Sequence, residues 1–136
     1  MTLSYSSLAD ESMQITPANK KSSGCNLSVH GFKSRESFFN FFSKFKADLA
    51  KKDKVSISKM ILYPLSTKID NKKVQVTSKK EFIEKFDLIF TKKVIRAVSK
   101  HQVKDFFCNY QGAMIGDGEV WIKQRKASIG IATVLN

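Results

Sequence analysis

The residue types that could do chemistry are few and scattered. Two cysteines, Cys25 and Cys108, and two histidines, His30 and His101, are all that the 136 residues offer as soft or imidazole ligands. Their separations match no zinc spacing, which needs ligands in close pairs. Two cysteines allow at most one disulfide, whereas a secreted scaffold dependent on cross-links carries more. Cys108 stands between Phe107 and Asn109 in a strand-like run, and there it reads as a small buried apolar residue and not as a nucleophile. Gly112, Gly116 and Gly118 fit neither a dinucleotide fingerprint nor a phosphate loop, and no helix follows them. They read as turn glycines, with Asp117-Gly118 a tight-turn signal. Acid–base work would fall to Asp87, His101 or Asp105, with Tyr63 and Tyr110 as hydroxyl donors, provided one of them faces an apolar pocket with a shifted pKa. No pair among them has a spacing that forces the groups together. The expectation is a protein with no catalytic dyad, no metal and no cofactor.

Charge points elsewhere. Lysine and arginine number 24 against 12 acids, a net charge of +12. Within residues 1–32 Lys20 and Lys21 balance Asp10 and Glu11, so the whole excess lies in the rest of the chain. Only Arg35, Arg96 and Arg125 are arginine. Lysine is a hydrated point charge, while arginine offers a rigid fork for bases and phosphates, so the surplus fits general attraction to an acidic partner better than base reading. Lysine pairs at 20–21, 51–52, 72–73, 79–80 and 92–93 would bind RNA or anionic lipid if they clustered, but no aromatics are regularly interleaved with them for stacking. Nucleic-acid binding is therefore the weaker expectation. The longest apolar runs, 60–65 and 129–135, fall far short of the ~20 residues that cross a bilayer, so no membrane insertion is expected. No basic start leads into an apolar run near Met1, which places the protein in the cytoplasm, or in the periplasm if a leader has been removed.

The elements that must position these residues can be read from periodicity. Residues 1–31, rich in serine and without a sustained period, read as a flexible N-terminal arm, with Leu27 and Val29 a weak edge-strand signal. Residues 32–136 read as one domain. Phe38, Phe41, Phe42, Phe45 and Leu49 form one helical stripe, with Ser34 as its cap and Phe39 off the stripe. From Val55 the period changes to two through Ile57, Ile61 and Tyr63 up to Pro64, the pattern of a strand. Asp70-Asn71 turns into a second strand at Val74 and Val76. Ser78 and Glu81 make a capping box ahead of a helix bearing Phe82, Phe86, Ile89 and Phe90. Thr91 caps a short helix with Val94, Ile95 and Val98. Three strands are expected at 103–110, 120–123 and 129–135, rich in aromatic and β-branched residues. Helices followed by one sheet make an α+β fold.

This order resembles the NTF2-like superfamily, in which a strongly bent antiparallel sheet wraps helices into a cone. The likeness is carried by residues 38–53, by Ile61-Leu62-Tyr63-Pro64-Leu65, by residues 78–90, and by Asn109-Tyr110-Gln111-Gly112-Ala113-Met114-Ile115-Gly116-Asp117-Gly118-Glu119-Val120-Trp121-Ile122. It is similar to small bacterial NTF2-like proteins of unassigned role and spans roughly three quarters of the chain. The superfamily includes isomerases, dehydratases, ligand carriers, transport adaptors and immunity proteins that neutralise toxins, so fold does not decide function. If the chain were an enzyme or small-molecule binder, the resemblance implies a cone-mouth site from Asp105, His101 and Tyr63.

Phe106, Phe107, Tyr110 and Trp121 form an aromatic group on adjoining strands. Alternation puts Phe106, Cys108 and Tyr110 on one face and Phe107 and Asn109 on the other, so one of these sets lies at least partly outside the core. An exposed aromatic on a sheet is a partner contact. The expected binding residues are Phe107, Tyr110, Trp121, Lys104, Lys123 and Arg125. The expected function is non-catalytic binding of an acidic, toxin-like protein, as in an immunity protein, with a homodimer through the sheet as a further possibility.

Overall fold

The structure is a computed structural model, and it describes residues 25–28 and 31–136. Among the described residues, five α-helices precede or interrupt a six-stranded sheet, as an α+β fold requires. Helix α1 (Arg35–Ala50) starts where Ser34 accepts a hydrogen bond from the Ser37 N–H at 3.0 Å. Its stripe buries Phe38, Phe42, Phe45 and Leu49, leaves Phe41 half-buried, and sets Phe39 under the Arg35 guanidinium at 5.0 Å.

Residues 54–58 depart from the expected strand. They form a short helix, α2 (Lys54–Ser58), because Asp53 accepts from the Ser56 N–H and caps it. The alternation of Val55 and Ile57 also fits one helical turn, with Ile57 fully buried and Val55 exposed. Strand β1 begins only at Ile61 (Ile61–Ile69), and a turn with Asp70 and Asn71 at φ of 55° and 64° leads to β2 (Lys72–Val76). The helix expected over 78–90 is broken at Lys85 into α3 (Lys79–Glu84) and α4 (Phe86–Ile89). Ser78 accepts from Glu81 N–H, while the Glu81 carboxylate accepts from Thr77 N–H. Thr91 caps α5 (Lys92–Lys100) as expected. Where a strand was expected from Val103, a 3-10 turn over Val103–Asp105 comes first, and β3 is confined to Phe107–Asn109. Strands β4 (Gly112–Ile115), β5 (Val120–Arg125) and β6 (Ser128–Val134) complete the sheet.

The spatial order is β2-β1-β6-β5-β4-β3. Every pairing is antiparallel except that of β1 with β6, so the sheet is mixed and not the antiparallel sheet that the resemblance implies. At that junction Gly130 is a matter of space: a Cβ there would lie 2.7 Å from Leu62 Cγ and from the Met60 carbonyl. The first register shift in the parallel pair follows between Ile61 and Ser66.

Phenylalanine fills the space between sheet and helices. Phe32, Phe38, Phe42, Phe45, Phe82, Phe86, Phe90 and Phe106 are all buried. Many of their rings meet edge to face, Phe38 and Phe42 standing 4.9 and 4.8 Å from Phe106, while Phe86 and Phe90 stack; both arrangements add to area burial through ring electrostatics. Among the side chains of β3–β6 that meet this core, Cys108, Ala113, Ile122 and Ile131 form one buried cross-strand row.

Cys108 is buried as expected, but it is not a free apolar residue: it is joined to Cys25 across 83 positions with the Cα atoms 4.5 Å apart. Of the expected arm, Cys25–Ser28 and Gly31 are described; Leu27 is buried in a turn and not in a strand, and Val29 lies outside the described residues. Native disulfides that close long loops contribute about 2–5 kcal/mol. Urea titration with and without a dithiol reductant is expected to show a loss of stability in that range, and a Cys25→Ser/Cys108→Ser double variant should be indifferent to reductant. Equal stability of oxidised and reduced protein would show that the bridge constrains nothing.

Candidate functional site

The face of the sheet opposite the phenyl core is built by the same alternation that buries the core. Cross-strand register places Gln75, Ser66, Thr133, Trp121, Met114 and Phe107 in one continuous row over all six strands. Residues directly opposite in a sheet share a face. Their neighbours Val76, Leu65, Ile122, Ala113 and Cys108 are buried on the inner side, so the row is the outer one. It ends at Phe107, 48% exposed, beside the β3–β4 turn carrying Tyr110 at 88%.

This divides the expected aromatic group. Phe106 and Cys108 point inward and Phe107 outward, as alternation required. Tyr110 does not follow Phe106 into the core, because it has already left β3 for the turn that Gly112 closes with φ +123°. Trp121 is half-buried in the outer row.

A concavity of about 430 Å³ opens in the outer face between β1, β2, β5 and β6. Trp121, Lys123, Arg125, Gln111, Ser66, Thr133, Gln75, Pro64, Ala132 and Leu135 line it, without an acid among them. The Arg125 guanidinium donates from Nη1 to the Tyr63 carbonyl at 3.1 Å. Of the expected binding residues, three (Trp121, Lys123 and Arg125) meet in this concavity. Phe107 lies further along the outer row, Tyr110 is exposed in the β3–β4 turn, and Lys104 is exposed in the 3-10 turn, all three outside the lining. Ser66, Gln75, Gln111 and Thr133 were not anticipated. Ser66 and Thr133 come together through the register of β1 with β6, a parallel contact that no local pattern records, while Gln75 is carried in by the β1–β2 hairpin and Gln111 by the β3–β4 turn.

The candidate acid–base residues are not brought together. His101 is buried at the end of α5, against Phe106 at 4.4 Å and Phe42 at 5.8 Å. Its Nδ1 accepts from the Gly116 N–H at 3.1 Å, which places the proton on Nε2, and Nε2 is buried without a hydrogen-bond partner. Burial lowers the imidazole pKa; Asp105 opposes this and Lys46 adds to it. Asp105 is exposed and caps its own turn by accepting from Gln102 N–H. The Tyr63 hydroxyl donates to the Ser58 carbonyl at 2.8 Å, and burial pushes its pKa up to about 12. Asp87 is exposed. Asp48, whose burial no local pattern announces, is the buried carboxylate among the described residues: it accepts from Lys44 at 2.8 Å and Ser56 at 2.6 Å, and these bonds hold its pKa down. That network ties α1 to α2. Among the described residues no group of three or more His, Cys, Asp or Glu could hold a metal ion, and no helix is long and apolar enough to cross a membrane.

No family model matches the chain, and no curated protein or solved structure is significantly similar to it.

His101 generates a pH prediction. Its folded pKa lies below the ordinary value of about 6.5, so the neutral imidazole stabilises the fold fully above that value, and this contribution is lost as pH falls below it. The urea midpoint is expected to drop between about pH 7 and pH 5, a window above the ordinary carboxylate range. His101→Gln, which keeps an acceptor for Gly116, should flatten that slope. An unchanged slope would assign the pH dependence to other groups.

Proposed function

We propose that this is a non-catalytic binding protein that engages an acidic protein partner through the outer face of its sheet. The observation that carries the reading is the outer face itself: Phe107 stands exposed at the end of its row, Tyr110 stands exposed in the adjoining turn, and Lys123 and Arg125 line the concavity nearer the middle of the sheet. Large aromatics in such a position contribute contact area at low entropic cost, and surrounding cations steer an acidic partner and make association salt-dependent. The buried imidazole, the exposed Asp105 and the tied Tyr63 hydroxyl favour binding over turnover.

The order of helix, hairpin, short helices and four antiparallel strands supports an NTF2-like build, and the most concrete version of the function is an immunity-type protein that occludes a toxin. The Cys25–Cys108 bridge supports an oxidising compartment such as the periplasm over the cytoplasm, because cytosolic thiols are kept reduced.

A photo-crosslinking amino acid at position 110, in the full-length protein expressed in its native cell, tests the reading. The expected product is one predominant acidic protein, whose yield falls between about 0.1 M and about 1 M salt as the screening length shrinks from ~10 to ~3 Å. Crosslinks to nucleic acid alone, or no crosslink at any salt, would overturn it.

A further inference from the structure

We infer that the concavity around Trp121 is a subsite for an extended acidic peptide segment, with carboxylates read by Lys123 and Arg125; this rests on the protein-binding reading above and names the chemistry of what the partner inserts. Charge complementarity carries it. Two cations face a concavity whose lining contains no acid. The two ion pairs among the described residues, Lys44–Asp48 and Lys85–Glu81, involve neither of them. Arg125 is also held in place: one guanidinium nitrogen is committed to the Tyr63 carbonyl, which fixes the fork and leaves its other N–H groups for a carboxylate. A fixed fork loses less freedom on binding than a free one.

The remaining lining selects the backbone. Ser66, Gln75, Gln111 and Thr133 supply side-chain donors and acceptors of the kind that meet peptide N–H and C=O groups. Trp121 and Leu135 supply apolar surface. At about 430 Å³ the volume is within the range of small-molecule pockets, but those are lined predominantly by apolar side chains, and this one has six polar or charged residues of ten. A nucleic-acid strand would need cations repeated along its phosphates and aromatics repeated along its bases. Here there are two cations and one aromatic ring.

Trp121 is the chain's single tryptophan, so its fluorescence reports this concavity alone. The probe is a blocked Glu-Val-Glu-Val-Glu peptide titrated into the full-length oxidised protein, with the Gln-Val-Gln-Val-Gln peptide and an oligouridylate as comparisons. The expected result is a saturable fluorescence change with the glutamate peptide binding at least about tenfold tighter than the glutamine peptide, the size of one charge-assisted hydrogen bond. Lys123→Gln/Arg125→Gln should abolish that preference, and Lys92→Gln/Lys93→Gln, which removes the same charge from the start of α5, should keep it. Equal affinity for the two peptides, or equal loss in both double variants, would overturn the subsite. Tighter binding of oligouridylate would replace it with a nucleic-acid site. If the peptides fail while position 110 still crosslinks to an acidic protein, the subsite alone is lost; if both fail, the binding reading falls with it.

Discussion

A six-stranded sheet whose inner face carries Cys108, Ala113, Ile122, Ile131, Leu65 and Val76 has to be covered, and phenyl rings from α1, α3, α4 and the link to α5 do most of it. Phe38, Phe42 and Phe45 come from α1, Phe82 and Phe86 from α3 and α4, and Phe90 from the link to α5. Burying a side chain of this size contributes roughly 1.5–3 kcal/mol, so no single hydrogen bond rivals the set. The polar contacts that cross between elements take their positions from it. Lys46 reaches the His101 carbonyl at 2.7 Å, and the Asn136 side chain reaches the Lys68 and Leu88 carbonyls, because ring packing has already brought those elements within reach.

Once the inner face is committed to rings, the period of two along each strand leaves the outer face no choice of residue. Trp121 points out because Val120 and Ile122 point in. Phe107 points out because Phe106 and Cys108 do not. The bulge between Trp121 and Ile122 matters here, because an extra residue re-aims the side chains beside it. In this sense the outer surface is a by-product of the core. What is not dictated by packing is the kind of residue placed there. Solubility alone is served by lysine, whereas Phe107 and Tyr110 stand in water at 48% and 88% exposure.

The parts of this fold legible in the sequence were those specified locally. The Phe38–Leu49 stripe, the Ser34, Ser78 and Thr91 caps and the Asp70-Asn71 turn each depend on residues within a few positions of one another, and each forms. The illegible parts depended on competition or distance. Residues 54–58 satisfy both a strand period and a single helical turn, and the Asp53 cap decides between them. The break at Lys85 leaves the phenylalanine stripe intact, so hydrophobic spacing carried no trace of it. The parallel contact of β1 with β6 joins residues more than sixty positions apart, and with it come Ser66 and Thr133 in the concavity. The Cys25–Cys108 bridge is of the same kind: two cysteines state a maximum of one disulfide, and only the fold brings them together.

His101 is the most informative residue for separating binding from catalysis. A general base needs a lone pair that a substrate proton can reach within hydrogen-bond distance. Here the available lone pair, on Nδ1, is occupied by the Gly116 N–H, and the other nitrogen carries its proton toward phenyl rings. The residue's contacts reach the end of α5, the turn after β4 and, through Lys46, α1. An imidazole used in this way joins three parts of the chain and holds the β4–β5 turn, whose far end carries Gly118, against which the Trp121 indole nitrogen lies within van der Waals reach of an added Cβ at 3.8 Å. The imidazole of His101 thus serves the geometry of the outer face, and the two cations of the concavity, Lys123 and Arg125, are on that face and not in a buried site.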